Sequence, residues 1–373
     1  MNAVQEMSDA PEPQTASKRR AGARELDLDV VRGGAILLAM GWHINQPTNI
    51  PVVDFLLAPG HTLGWAGVDL FFVLSGFLVG RIVFKEELAY GSFDFGRFFK
   101  RRAFKLWPVL YTFLAALVVL TRDPWSGYLW QIGLHVANFF PPSQAVHLWS
   151  LAVEEHFYLA LGTLVPIYIK RAPTWTLWRW LTAVIVLALV LRSAGYFLGA
   201  TAEQLQWQTQ YRMDGLASGV LLALISLHRP ALMQSLLRKR PLWALLSLLG
   251  ATFLWFNDKA SAIGCTVGFS VSWMTAISVL LLVYKSGIER RAPHLCKTVA
   301  FFGFYSYALY IWHVPALRMV PAVLGKFGVH NPVVTIILDY VAATALAVVV
   351  TRIIERPSLA LRDRLFPARV TAV

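Results

Sequence analysis

Ten runs of about twenty mostly apolar residues recur along the chain, and nothing else in it limits the fold as tightly. A helix needs roughly 20 such residues to cross the hydrocarbon layer of a bilayer, where a backbone must satisfy its own hydrogen bonds. The runs fall at about 26–46, 62–84, 106–121, 149–169, 179–199, 213–227, 241–257, 261–284, 299–318 and 333–353. The 373 residues are 57% hydrophobic and only 15% charged, too apolar for a soluble domain of this length. The expected fold is an all-α polytopic membrane protein with about ten transmembrane helices. An eleventh apolar stretch, "YLWQIGLHVANFF" at 128–140, is too short to cross and is closed by Pro141 and Pro142, so a re-entrant or interfacial segment is expected there.

The charge pattern orients these spans. The net charge of +13 is not the mark of a nucleic-acid binder, because its basic residues gather in short clusters between apolar runs. With the amino terminus inside, the clusters "SKRRAGAR", "KEELAYGSFDFGRFFKRRAFK", "KRAPTWTLWR", "HRPALMQSLLRKR", "KSGIERRAPHLCK" and "ERPSLALRDR" all fall on one side. The other side holds isolated cations such as Lys259 and Lys326. Both termini are therefore expected in the cytoplasm. A polar tail (1–25) without a signal-peptide core precedes one membrane domain (26–357), and a short cytoplasmic tail (358–373) follows it. Cys265 and Cys296 build neither a disulfide framework nor a metal-ligand set, and no metal is expected.

Ionisable groups within a membrane cost about 2.5–3.5 kcal/mol each on insertion scales, so they face a bundle interior or an aqueous cavity. In this topology His43, Asp69, Glu154, Glu155, Arg192, Arg212, Asp214 and His313 reach a similar depth towards the outer side, from six different spans. One polar chamber is expected there. The first span carries Arg32 and His43 eleven residues apart, on nearly one face and about 16 Å apart along the helix axis. Asp29, one turn before Arg32, is placed to pair with it. A ligand with an anionic head and a long thin arm would lie along such a wall, and coenzyme A has that shape. In "RFFKRRAFKLWP", Arg102 and Lys105 stand one turn apart, where two cations can grip a phosphate, whereas the neighbouring basic residues follow from topology alone.

Several separated blocks together resemble acyltransferase family 3, the integral-membrane O-acyltransferases. "LDVVRGGAILLAMGWH" (28–43) is similar to the family's opening motif, and "GVDLFFVLSGFLVG" (67–80) to its second-span signature. "KRRAFKLWP" resembles its basic motif, with Lys105 where an arginine is usual. "HLWSLAVEEHFYL" (147–159), "YRMDGLASG" (211–219), "YSYALYIWHVP" (305–315) and "IIERP" (353–357) complete the order. The resemblance implies an inner (plasma) membrane enzyme that moves an acyl group from acyl-CoA, with acetyl-CoA foremost, to a hydroxyl of a surface glycan, a lipid-linked sugar or a secreted metabolite. The periplasmic hydrolase-like domain that some relatives carry is not seen, so donor and acceptor are expected to be handled by the bundle or by a separate partner.

The resemblance also implies residue roles. His43 becomes the general base that takes the proton of the attacking hydroxyl, a task suited to neutral imidazole. Asp69 or Glu154 is expected to orient it, and either is equally a structural partner for Arg192 or Arg212. Arg32, Arg102 and Lys105 would hold the donor. Arg212 and Asp214 would bind acceptor hydroxyls at the outer rim, unless Asp214 only caps its helix. His313 would be a second base or an acceptor ligand, or else part of an aromatic belt. An acyl-enzyme on Ser75 is disfavoured, because Ser and Gly commonly serve close helix packing. A proton-coupled transporter or flippase using the same buried charges is the alternative, but the matched broken helices it calls for are not evident.

Overall fold

The computed structural model describes residues 25–44, 46–121, 129–142 and 144–370, and every regular element among them is helical. The main helices are α1 (Leu26–His43), α2 (Pro51–Leu63), α3 (Gly67–Tyr90), α4 (Phe95–Thr121), α5 (Trp149–Ile169), α6 (Trp178–Phe197) and α7 (Thr209–His228). They are followed by α8 (Arg240–Phe256), α9 (Phe269–Val283), α10 (Pro293–Phe304), α11 (Ser306–Lys326), α12 (Pro332–Val350) and α13 (Arg356–Leu365). Nine of the ten expected segments fall, over most of their described length, on a single helix, whereas 299–318 straddles α10 and α11, which meet at Tyr305. The expected tail lies outside the described residues apart from its last residue, Glu25.

Among the described residues six helices are long and apolar enough to cross a membrane, or seven if the bent pair Ala202–His228 and Pro230–Arg238, meeting at 113°, counts as one span. That is fewer than ten, and the shortfall has identifiable causes. Helix α1 carries Asp27, Asp29 and Arg32 within 18 residues, and α5 carries Glu154, Glu155 and His156. Helix α8 is apolar but only 17 residues long. Among these charges, Asp29 and Arg32 of α1 and Glu154 and Glu155 of α5 form ion pairs within the bundle. The fold is that of a helical membrane protein. Helix α2, between the first two expected spans, runs almost directly into α3 to give 40 helical residues, about 60 Å of rise and more than one crossing requires. Within the described part of the 128–140 stretch, Leu129–Gly133 forms a helix of only five residues and His135 adopts φ 55°.

Helices α3 and α7 cross at the centre of the bundle through glycine. A Cβ on Gly76 would lie 2.1 Å from the carbonyl oxygen of Leu216, and one on Gly219 would lie 2.1 Å from that of Val73. Small residues let helix backbones approach this closely and gain dispersion contact, which drives association in lipid. Phe72, Phe77, Leu216 and Val220, each fully buried, pack around the crossing. Gly219→Val is accordingly expected to force the helices apart at about 1–3 kcal/mol, the usual range for overpacking a core. A fall in the thermal midpoint of the detergent-solubilised protein, read by size-exclusion, checks this.

Candidate active site

The deepest charges form two ion pairs. Asp69 on α3 accepts from Arg212 Nη2 on α7 at 2.7 Å and from Ser272 Oγ on α9 at 2.7 Å. Arg192 on α6 donates to Asp214 at 2.9 Å, to Ser270 Oγ at 2.7 Å and to the carbonyl oxygens of Tyr211 and Thr266. Thr266 lies in a π-helical turn, Gly264–Gly268, a bulge of the kind that frees carbonyls from the helical ladder. All four charged residues are at most 1% exposed. The Arg212 guanidinium lies 4.0 Å from the centre of the Phe269 ring, and its Nε and Nη1 make no hydrogen bond among the described residues.

Arg212 and Asp214, expected to bind acceptor hydroxyls, are buried in these ion pairs, where they join α6 and α7 to α3 and α9. Asp69 has both oxygens engaged by Arg212 and Ser272 and is not directed at His43. The alternative read from sequence, pairing with Arg212, is the one observed.

A second group of charges opens to cavities. One cavity of about 350 Å³ lies between the start of α4, the end of α3 and the segment after α13, and is lined by seven cations against one carboxylate, Glu86. A deeper cavity of about 120 Å³ shares four of its lining residues, Arg32, Ser75, Arg102 and Lys105. It continues to Glu154, Ser150 and Tyr310. Arg32 thus stands where the two spaces meet. Arg32 pairs with Asp29 at 2.9 Å, as the one-turn spacing predicts. Arg102 donates to Glu154 and Glu155, each at 3.1 Å, and lies 3.8 Å from the centre of the Tyr158 ring. Two carboxylates therefore share this guanidinium, and Glu154 belongs to the cation cluster and not to His43. Lys105 lines both cavities and lies in the field of the Glu355 carboxylate.

Beyond the deeper cavity three histidines converge. His43, the last residue of α1 and itself exposed, has its ring 5.0 Å from His313 and 6.4 Å from His147, which in turn lie 5.3 Å apart. His313, fully buried on α11, has Nδ1 at 3.0 Å and 2.8 Å from the carbonyl oxygens of Leu309 and Tyr310. Carbonyls only accept, so Nδ1 carries the proton and Nε2 is left as an acceptor, with no partner among the described residues. His147 Nε2 donates in the same way to the carbonyl of Ile311 at 3.1 Å. Tyr310 joins the cavity to this cluster: its hydroxyl donates to the carbonyl of His147 at 2.5 Å and accepts from Ser150 Oγ at 2.6 Å.

Of the nine expected site residues, Arg32, Arg102, Lys105 and Glu154 are gathered at the cavities, His43 and His313 at the histidine cluster, and Asp69, Arg212 and Asp214 in the buried ion pairs. His147 and Tyr310 were not singled out from sequence. Their signal lay in blocks already noted, since His147 opens "HLWSL" and Tyr310 stands three residues before His313. Chemically, the arrangement offers an anion-attracting mouth, a narrow continuation and an accessible imidazole with a fixed acceptor beside it.

The family described as an acyltransferase domain matches residues 25–356. Curated relatives include O-acetyltransferase OatA of Staphylococcus aureus, 24% identical over 88% of this chain and 56% of that protein. Peptidoglycan O-acetyltransferase OatA of Listeria monocytogenes is 27% identical over 88% of this chain and 55% of that protein. The putative peptidoglycan O-acetyltransferase YrhL of Bacillus subtilis is 26% identical over 92% and 56%. The chain spans little more than half the length of these relatives. No solved structure matches it.

Proposed function

Because this chain belongs to the acyltransferase domain family, we propose that it is a membrane O-acetyltransferase. It takes an acetyl or other acyl group from acyl-CoA on the cytoplasmic side and passes it to a hydroxyl of a surface glycan, a lipid-linked sugar or a secreted metabolite. The names of the relatives favour a glycan such as peptidoglycan. The observation that carries the reading is the continuity of the two cavities, from a mouth with seven cations to Ser150 and Tyr310, with His43, His147 and His313 directly behind. In this reading residues 26–357 form the catalytic domain in the plasma membrane, crossing ten times, with short tails and both termini in the cytoplasm. The transporter or flippase alternative draws no support from the family or the relatives.

The phosphates of the donor lie in the wide cavity against Arg32, Arg102 and Lys105, and the thioester arm runs through the deeper one past the Ser150–Tyr310 pair. The acceptor hydroxyl attacks the thioester carbonyl carbon while His43 takes its proton. As the tetrahedral intermediate collapses, the carbon–sulfur bond breaks and the imidazolium returns the proton to the departing sulfur, releasing free CoA and the ester. Among the described residues no hydrogen bond joins a carboxylate to His43, and the acceptor beside it is Nε2 of His313, which has no hydrogen-bond partner there and whose ring centre lies 5.0 Å away. A neutral acceptor fixes the imidazole tautomer without placing a net negative charge in the chamber.

Transfer of label from acetyl-labelled acetyl-CoA into envelope glycan, in membranes that contain or lack the protein, tests this function. Labelled ester that depends on the protein supports it, and no transfer despite acetyl-CoA binding to the purified protein would count against it. Lys105→Ala removes a cation that lines both cavities, so its donor KM is expected to rise about tenfold with kcat little changed, the pattern of lost uniform binding.

A further inference from the structure

The matched family domain ends at residue 356, yet the chain continues along the wall of the cation-lined cavity. Helix α13 leaves the bundle beside α4, where Ser358 Oγ donates to the carbonyl of Phe104 at 2.6 Å. Beyond α13 the backbone turns across the mouth. Arg101 donates to the carbonyl of Phe366, and Arg97 Nη1 donates to that of Pro367 at 3.0 Å. The Phe366 ring rests against Phe104 at 5.8 Å, and Lys100 lies 5.4 Å from its centre. Arg369 then reaches back to Glu86 at 3.2 Å and Asp94 at 3.5 Å. Asp94 precedes α4 and accepts the Arg97 backbone N–H at 2.9 Å, a bond that holds its carboxyl below the usual range. The segment is therefore tied down at several points, and it contributes Arg362 and Arg369 to the cavity wall.

This docking changes what the basic loop before α4 does. Arg97 and Arg101 turn guanidinium N–H groups towards carbonyls of the segment, so part of the positive charge that topology alone would explain is used to hold a wall in place. What remains is an excess of positive charge around a half-open cavity, built from two separate parts of the chain, with Asp363 pairing with both Arg101 and Arg362 beside it. Charge of one sign lining a concave, low-dielectric wall selects ligands of the opposite sign.

We propose that residues 362–370 complete the donor site, with Arg362 and Arg369 holding the phosphate groups of a nucleotide-type thioester donor against the cations of α1 and α4. The proposal rests on the donor reading given above. Ligand binding and docking of the segment are then linked, so each strengthens the other by the same factor. The shared ligand chemistry is a phosphate ester, and a soluble nucleotide is favoured over a lipid headgroup because the cations line a cavity that leads inward to Ser150 and Tyr310.

The test is CoA binding to the full chain in neutral detergent, by calorimetry, for the unaltered protein, for Arg362→Gln combined with Arg369→Gln, and for Arg364→Gln on the same helix as a control. All must elute as monodisperse species. The double variant is expected to bind CoA at least tenfold more weakly while Arg364→Gln is unchanged, and CoA is expected to slow proteolytic cleavage after Leu365 in the unaltered protein only. Equal affinity in the double variant overturns the proposal and leaves the donor reading standing. Failure of the unaltered protein to bind CoA removes the donor reading and this proposal with it. Loss of co-purified phosphatidylglycerol from the double variant, with CoA affinity unchanged, assigns the cations to lipid and equally overturns it.

Discussion

His43→Ala is expected to lower kcat by about 10²–10⁴-fold, the range that a positioned general base contributes, while donor affinity stays within about twofold. The two readouts separate because His43 and the cations belong to different parts of the chamber. Arg32 and Lys105 line the cavities at one end of α1, and His43 closes the other end about 16 Å away. The variant should also fold: His43 is the exposed last residue of its helix, and none of its ring contacts is a hydrogen bond whose loss would leave a buried group newly unpaired. The measurement is label transfer from acetyl-CoA alongside CoA binding, at matched amounts of purified protein. Transfer at the unaltered rate would remove His43 as the base. A parallel loss of CoA binding would mean that it serves the donor instead of the proton.

How much of this was legible in the sequence differs between the helices and their partners. The ten helical segments follow from apolar runs that a bilayer demands, and the Asp29–Arg32 pair follows from helical spacing alone. The closeness of His43 and His313, expected from their positions in separate spans, is found at 5.0 Å between ring centres. Which charge faces which was not legible. Sequence fixes a residue's height along its own helix, whereas its partner depends on which helices cross and at what rotation. Glycines set that crossing: Gly76 and Gly219 bring α3 against α7, and this puts Asp69 beside Arg212. Glu154 was similarly drawn to Arg102, a residue 52 positions earlier that sequence assigned to phosphate. The missed histidine has another cause. His147 sits in a short 3-10 turn, Val146–Leu148, ahead of α5, so no helical periodicity carries it into the chamber.

The buried pairs supply the sharpest contrast with the imidazole. Asp69→Ala is expected to destabilise the protein by about 3–5 kcal/mol, because it strands the Arg212 charge in a site that is 1% exposed. Two guanidinium nitrogens already lack hydrogen-bond partners there, so aromatic rings and Asp69 are what remain to hold the charge. Replacing both residues, Asp69→Ala with Arg212→Met, removes the charge with its partner and should recover most of the loss, since buried pairs are often near-neutral against apolar substitutes. Thermal midpoints in detergent for the two single variants and the double variant give the coupling between them. The same cycle decides between the two roles open to Asp69. If it only joins α3 to α7, acetyl transfer should return with stability in the double variant. If instead Asp69 acts on His43 through the chamber, the double variant will be folded and bind CoA yet remain slow, and the ion pair will have to be counted among the groups that position the base.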